Sequence, residues 1–267
     1  MNGHSNDISM AITTRLMKFS GVWMAANNHE QRRRNIVLVY TSIGMLLIGL
    51  EIFSDLYYSC SDFTECLYVS VNFLSLMLPT IKLLIVLAHK KDFFELIRYM
   101  QEKFFHGTYD IQEKTLMNSC KSVCAFYICT FTWCAHSTVF SYVVSPIIAN
   151  IERNGTDRLL PFRMWMDIFY VTPYFEITFV VQSLSLYQVG VCYMCFDNLL
   201  CIMNLHTACQ FRILQYRLKN IPNIVIEKYV ENSKSLTPDS ADKHYATFRN
   251  YVQQHQLLIA YCAKLEK

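Results

Sequence analysis

Apolar residues in this chain come in four long blocks, not in periodic stripes. They run roughly Ile36–Phe53, Leu67–Ala88, Val123–Ala149 and Trp165–Leu186. At ~1.5 Å of rise per residue, each block is long enough to cross a hydrocarbon core of ~30 Å as a helix. Between and after the blocks the pattern becomes amphipathic. In Lys90–Lys103 the apolar positions 93, 94, 97 and 100 recur at helical spacing, which predicts a surface helix. Tyr245, Phe248, Tyr251, Val252, His255, Leu258 and Ile259 predict another in the tail, too polar to span. From Trp165 to Leu218 the breakers are Pro173 and Gly190 alone, so the fourth span is predicted to run on as a helix beyond the bilayer. Ile221–Ala241 is polar and holds Pro222 and Pro238, which predicts a loop or linker. The segment around Arg15–Ser20 predicts a short helix.

Charge orients these spans. Five Lys and Arg precede the first block, none lies in the next loop, six follow, then three, then nine in the tail. Under the positive-inside rule this alternation places the amino terminus in the cytosol. The chain is therefore expected to be an all-α, polytopic helical membrane protein with four transmembrane helices. Residues 1–35 form a cytosolic amino-terminal segment, 36–206 the four-span bundle, and 207–267 a second cytosolic segment. The first 31 residues are mostly polar and the first block begins just after Arg32, Arg33 and Arg34. That pattern fits a signal anchor and not a cleaved signal peptide.

Composition narrows the chemistry. The chain is 53% hydrophobic and 17% charged, and its basic residues flank spans instead of forming a nucleic-acid patch. No nucleic-acid partner and no cofactor are expected, and the partner implied throughout is the lipid bilayer. Of the 11 cysteines most fall in or beside apolar helices, where Cys is a small hydrophobe. Cys192–Cys195 has CxxC spacing but neither a second pair nor a His cluster beside it, so no metal site is expected. Cys60 and Cys66 lie in the first outside loop, on the oxidising side, and are candidates for a disulfide. Asn154-Gly155-Thr156 is a glycosylation sequon in a loop that the charge pattern also places outside. Asp197, His206 and Gln210 have no nucleophile or metal partner in view, so no enzyme is expected.

Several segments in order resemble the insect odorant receptor family. Gly21-Val22-Trp23 is similar to its amino-terminal Gly-x-Trp element, with Met24 where Pro is usual. Thr172-Pro173-Tyr174-Phe175-Glu176 with Gln182 is similar to the fourth-span signature. Cys195-Phe196-Asp197-Asn198-Leu199-Leu200, His206 and Gln210-Phe211-Arg212-Ile213-Leu214 complete the set. The resemblance implies a seven-span, all-helical subunit, of which this chain carries the first four spans and is truncated before the fifth. It implies a plasma-membrane receptor for a small volatile ligand. It also implies a co-receptor subunit in a hetero-oligomer, a tetramer, gating cation flow. The alternatives are a gustatory receptor of the same superfamily, or a non-conducting four-span membrane protein.

The resemblance also implies an apolar ligand pocket in the outer half of the bundle. Its expected contributors are Val69, Asn72 and Phe73 on the second span, Phe140, Ser141 and Val144 on the third, and Tyr174, Phe175 and Thr178 on the fourth. Apolar burial there gives non-directional affinity, and an Asn or Ser discriminates functional groups. Asp197, His206 and Gln210 are expected in an intracellular assembly anchor. Glu176 is expected in a structural hydrogen bond, His136 in packing, and Lys82 and Glu51 to snorkel to the interfaces.

Overall fold

The computed structural model describes residues 7–59, 61–105, 107–151, 158–164, 166–231 and 238–266. Side chains of 221–244 are outside that description. Asn154 and Cys60 lie outside the described residues, and so do the glycosylation and disulfide expectations that rest on them. Among the described residues the regular structure is all helix, without a strand. Its elements are α1 (Ile8–Phe19), α2 (Asn28–Ser59), α3 (Phe63–Ala88), α4 (Lys90–Met100), α5 (Ile111–Asn150), α6 (Tyr174–Glu231) and α7 (Pro238–Leu265). A π turn, Gln101–Phe105, prolongs α4, and a 3₁₀ turn, Asp167–Tyr170, precedes α6.

Four of these helices, α2, α3, α5 and α6, are long and apolar enough to cross a membrane. They leave large apolar side chains uncovered by protein, among them Leu46, Leu50, Leu74 and Phe126, each more than 60% exposed. Contiguous surface of this kind would aggregate in water and is the lipid-facing surface of a membrane helix. The apolar window of α6 is 50% buried, against 11% for α5, so α6 is the more enclosed span.

Two compact units divide the chain. One comprises 1–7, 91–126 and 200–267, the other 8–90 and 127–199. In the second unit, α2 and α3 pack together. Asp62 caps α3, its carboxylate accepting from Thr64 N at 2.8 Å. Val69, Leu76 and Leu83, seven apart, and Pro79 and Val86 form the buried stripe of α3. In the first unit the buried side of α4 is Phe94, Ile97 and Met100, the spacing the sequence predicts.

Two element boundaries differ from expectation. α6 begins at Tyr174, nine residues after Trp165, because Pro173 disfavours helix at the residue before it and suits a helix start. Helix also continues to Glu231 where a loop was expected, and α7 starts on Pro238. At a helix's first position the missing proline N–H would have had no partner anyway, so Pro238 begins a helix instead of marking a linker.

Candidate functional site

The candidate ligand residues sit in the second unit, near the end where α2 turns into α3 and α5 connects to α6. On α3, Val69 is buried, while Asn72 and Phe73 are half-buried beside the stripe. Phe73 packs on Phe53 of α2 with ring centroids 6.3 Å apart. Asn72 Oδ1 accepts a hydrogen bond from the Tyr142 hydroxyl of α5 at 3.2 Å. Tyr142 was not anticipated. Its neighbours Phe140 and Ser141 are exposed, and the Ser141 hydroxyl donates to its own helix at Ser137 O, 2.9 Å. At ~100° per residue, two positions turn a side chain to the far side of a helix. The usable signal was the phenol itself, because a Tyr in an apolar span needs a partner for its hydroxyl. Val144 is half-buried.

On α6, Phe175 and Thr178 are half-buried and Tyr174 is exposed. Phe175 lies under the Arg158 guanidinium, 5.1 Å from its ring centroid. Arg158 also pairs with Glu176 at 3.2 Å, and the Thr172 hydroxyl donates to the same carboxylate oxygen at 3.1 Å. Glu176 therefore holds the α5–α6 connection. Gln182, 1% exposed, does the same from one to two turns deeper. Its Oε1 accepts from Phe162 N at 3.1 Å and its Nε2 donates to Phe162 O at 3.2 Å. Both ends of the amide are used, which is what makes a Gln tolerable in an apolar span. Asn150 closes a third clasp, exchanging hydrogen bonds of 2.6 and 2.8 Å with the Leu159 backbone.

The Gly-x-Trp element ends α1. Val22 N reaches Met17 O at 3.1 Å and Gly21 N reaches Lys18 O at 3.3 Å, with Gly21 at φ +81°. This is a Schellman end, and Met17 and Val22 supply the apolar contact that accompanies it. A Cβ on Gly21 would lie 2.7 Å from both Arg34 O and Leu38 N of α2, so only glycine lets the turn meet that helix. Gln188 of α6 then fastens the turn. Its amide donates to Thr41 Oγ1 at 2.5 Å and to Phe19 O at 3.3 Å.

Farther along the same unit lies Lys82 of α3. It pairs with Asp197 of α6 and lies over the Tyr193 ring, 4.8 Å from its centroid. An opposite charge within reach is a better destination than partial exposure in an apolar setting. Next to it, Asn198 donates to Thr132 Oγ1 of α5 at 3.0 Å. His136 contacts Thr132 O at 2.7 Å and the Tyr187 hydroxyl at 3.5 Å.

In the first unit, His206 is fully buried, with Nε2 3.3 Å from Asp7 and the ring 4.7 Å from that of Phe105. Gln210 donates to the Tyr109 hydroxyl at 2.8 Å, and that hydroxyl donates to Phe104 O at 2.6 Å. Arg217 clasps Glu113 of α5 through two bonds of 2.6 and 2.8 Å and donates to Gln254 of α7 at 2.9 Å. Tyr99 of α4 stacks on Tyr261 of α7 at 5.4 Å. Burial pushes the Tyr99, Tyr109 and Tyr261 phenols up from the ordinary tyrosine range. Asp197, His206 and Gln210 thus meet partners within this chain. Among the described residues no group of three or more His, Cys, Asp or Glu could hold a metal ion.

Comparison with known proteins gives the family. Residues 59–267 match the family model described as 7tm Odorant receptor. Odorant receptor 30a of Drosophila melanogaster is 28% identical over 96 residues, a stretch covering 34% of this chain and 24% of that protein. The match thus spans about a quarter of the relative's length. Since the family model covers well over half of this sequence, the chain belongs to the seven-transmembrane odorant receptor family.

Proposed function

We propose that this chain binds small volatile ligands among the outer halves of α3, α5 and α6, with its amino terminus in the cytosol. Paired with a co-receptor subunit in a hetero-oligomer of the plasma membrane, it gates cation flow. The observation that carries the reading is the Asn72–Tyr142 hydrogen bond. It sets a polar pair between α3 and α5, the kind of arrangement that lets an apolar pocket tell functional groups apart. Family membership and the name of the Drosophila relative support the odorant class of ligand. The roles of Asp197, His206 and Gln210 in assembly are indirect on this reading, because they hold α6 in place with their polar groups turned inward.

The test is expression with the co-receptor and recording of odorant-evoked current without G-protein signalling. Asn72→Val and Tyr142→Phe are expected to weaken responses to hydroxyl- or carbonyl-bearing volatiles about tenfold, the equivalent of one hydrogen bond. Responses to pure hydrocarbons should change far less. Silence across a broad volatile panel, despite surface expression, would overturn the proposal. An epitope at residue 5 reachable from outside the cell would overturn the orientation, and a glycan on Asn154 would support it.

A further inference from the structure

Two cysteines on different helices share one slot in the first unit. Cys120 of α5 donates its thiol to Leu205 O of α6 at 3.5 Å. Cys209 of α6 donates its thiol to Leu116 O of α5 at 3.8 Å. Leu205 lies one turn before Cys209, and Leu116 one turn before Cys120. Each sulfur therefore rests on the turn that the other cysteine's side chain covers, because helical side chains lean toward the preceding turn. The crossed pair of thiol–carbonyl contacts brings the two side chains into one slot between α5 and α6. Cys120 packs on the Met117–Cys209–Ile213 cluster. Neither is bridged in the structure; Cys209 is 4% exposed and Cys120 half-buried.

We propose that Cys120 and Cys209 are a modification site: a reversible disulfide pair that a peroxide closes, linking α5 to α6. One of the two sulfurs attacks peroxide as its thiolate, forming an S–O bond as the O–O bond breaks, and the departing hydroxide takes up the thiol proton as water. The other sulfur then displaces the hydroxyl from that sulfenic acid, which departs with the released proton as a second water. Two thiols and one hydrogen peroxide become one disulfide and two waters. Placement of both side chains in one slot lets this second step outrun reaction with dissolved thiols. Cys124, one turn from Cys120 and buried, is the nearby thiol that serves as the control.

The full chain in membranes, with a protease site placed in residues 152–157, provides the test. Hydrogen peroxide is applied, remaining thiols are blocked with N-ethylmaleimide, the loop is cut, and the halves are run on a non-reducing gel. The expected result is linked halves that separate with dithiothreitol, with linkage lost in Cys120→Ser and Cys209→Ser and kept in Cys124→Ser. Peptide mass spectrometry of the oxidised wild type needs no variant and should recover a Cys120–Cys209 peptide pair. Halves that separate after oxidation, or a linked pair built on other cysteines, would overturn the proposal.

Discussion

Replacing Gly21 by Ala tests how the amino-terminal helix is joined to the spans. The substitution has two costs that add. An L residue held at φ +81° costs ~1–2 kcal/mol. The new Cβ would also stand 2.7 Å from two backbone atoms of α2, Arg34 O and Leu38 N, and neither can rotate away. Overpacking of that kind costs about 1–3 kcal/mol. The total is roughly 2–5 kcal/mol, which for a chain this size is a fall on the order of 10 °C in melting temperature. Gly44→Ala is the control. Its Cβ would meet Ser185 at 3.5–3.8 Å, an ordinary contact, and alanine favours the helix interior by ~0.5–1 kcal/mol. The two substitutions should therefore move stability in opposite directions. Gly21→Asn separates the two costs, since Asn accepts positive φ but still carries a Cβ. Thermal stability of the detergent-solubilised chain, followed by size-exclusion chromatography with fluorescence detection, measures all three. A Gly21→Ala protein as stable as Gly44→Ala would refute the argument.

Three other outcomes follow from the structure. Gln182→Leu leaves the Phe162 N–H and carbonyl without their partner and should cost about 1–3 kcal/mol, read as faster proteolysis within residues 158–164. Lys82→Ala strips Asp197 of its opposite charge and should reduce surface expression severalfold. Lys82→Asp with Asp197→Lys should restore part of that loss, and no recovery in the double variant would refute direct pairing. Tyr99, Tyr109 and Tyr261 have phenols raised by burial, so the stability they contribute is complete below the unfolded value near ~10 and is lost as pH climbs through their higher folded values. Thermal melts from pH 9 to 12 should show this alkaline loss, and Tyr261→Phe should lessen it.

The spans were legible because an unbroken apolar run has one outcome in a bilayer, and α4 because its buried positions 94, 97 and 100 repeat at the helical period. The contacts that shape the candidate site were harder to read. Lys82 and Asp197 are 115 residues apart, and Asn72 and Tyr142 are 70 apart. Such pairs depend on how each helix is rotated about its axis, and an exposed apolar residue facing lipid resembles a buried one in composition. Sequence alone does not separate Phe140 and Ser141, which are exposed, from Tyr142, which the helix turns to Asn72. Pro222 and Pro238 look like breakers in the sequence, but a proline's effect depends on its position within the helix.

The clasps made by Asn150, Glu176 and Gln182 have a thermodynamic consequence. Fixing backbone costs ~1–2 kcal/mol per residue in lost conformational freedom. Along 158–162 that loss is incurred when the chain folds, not when something arrives from outside. On the proposed function, a visiting molecule at this end of the second unit would meet a surface already ordered, so little of its binding energy would be spent on immobilising the wall around it. Cutting the Gln182 clasp would transfer that entropy cost from folding to binding, weakening affinity without removing a single atom that the visitor touches.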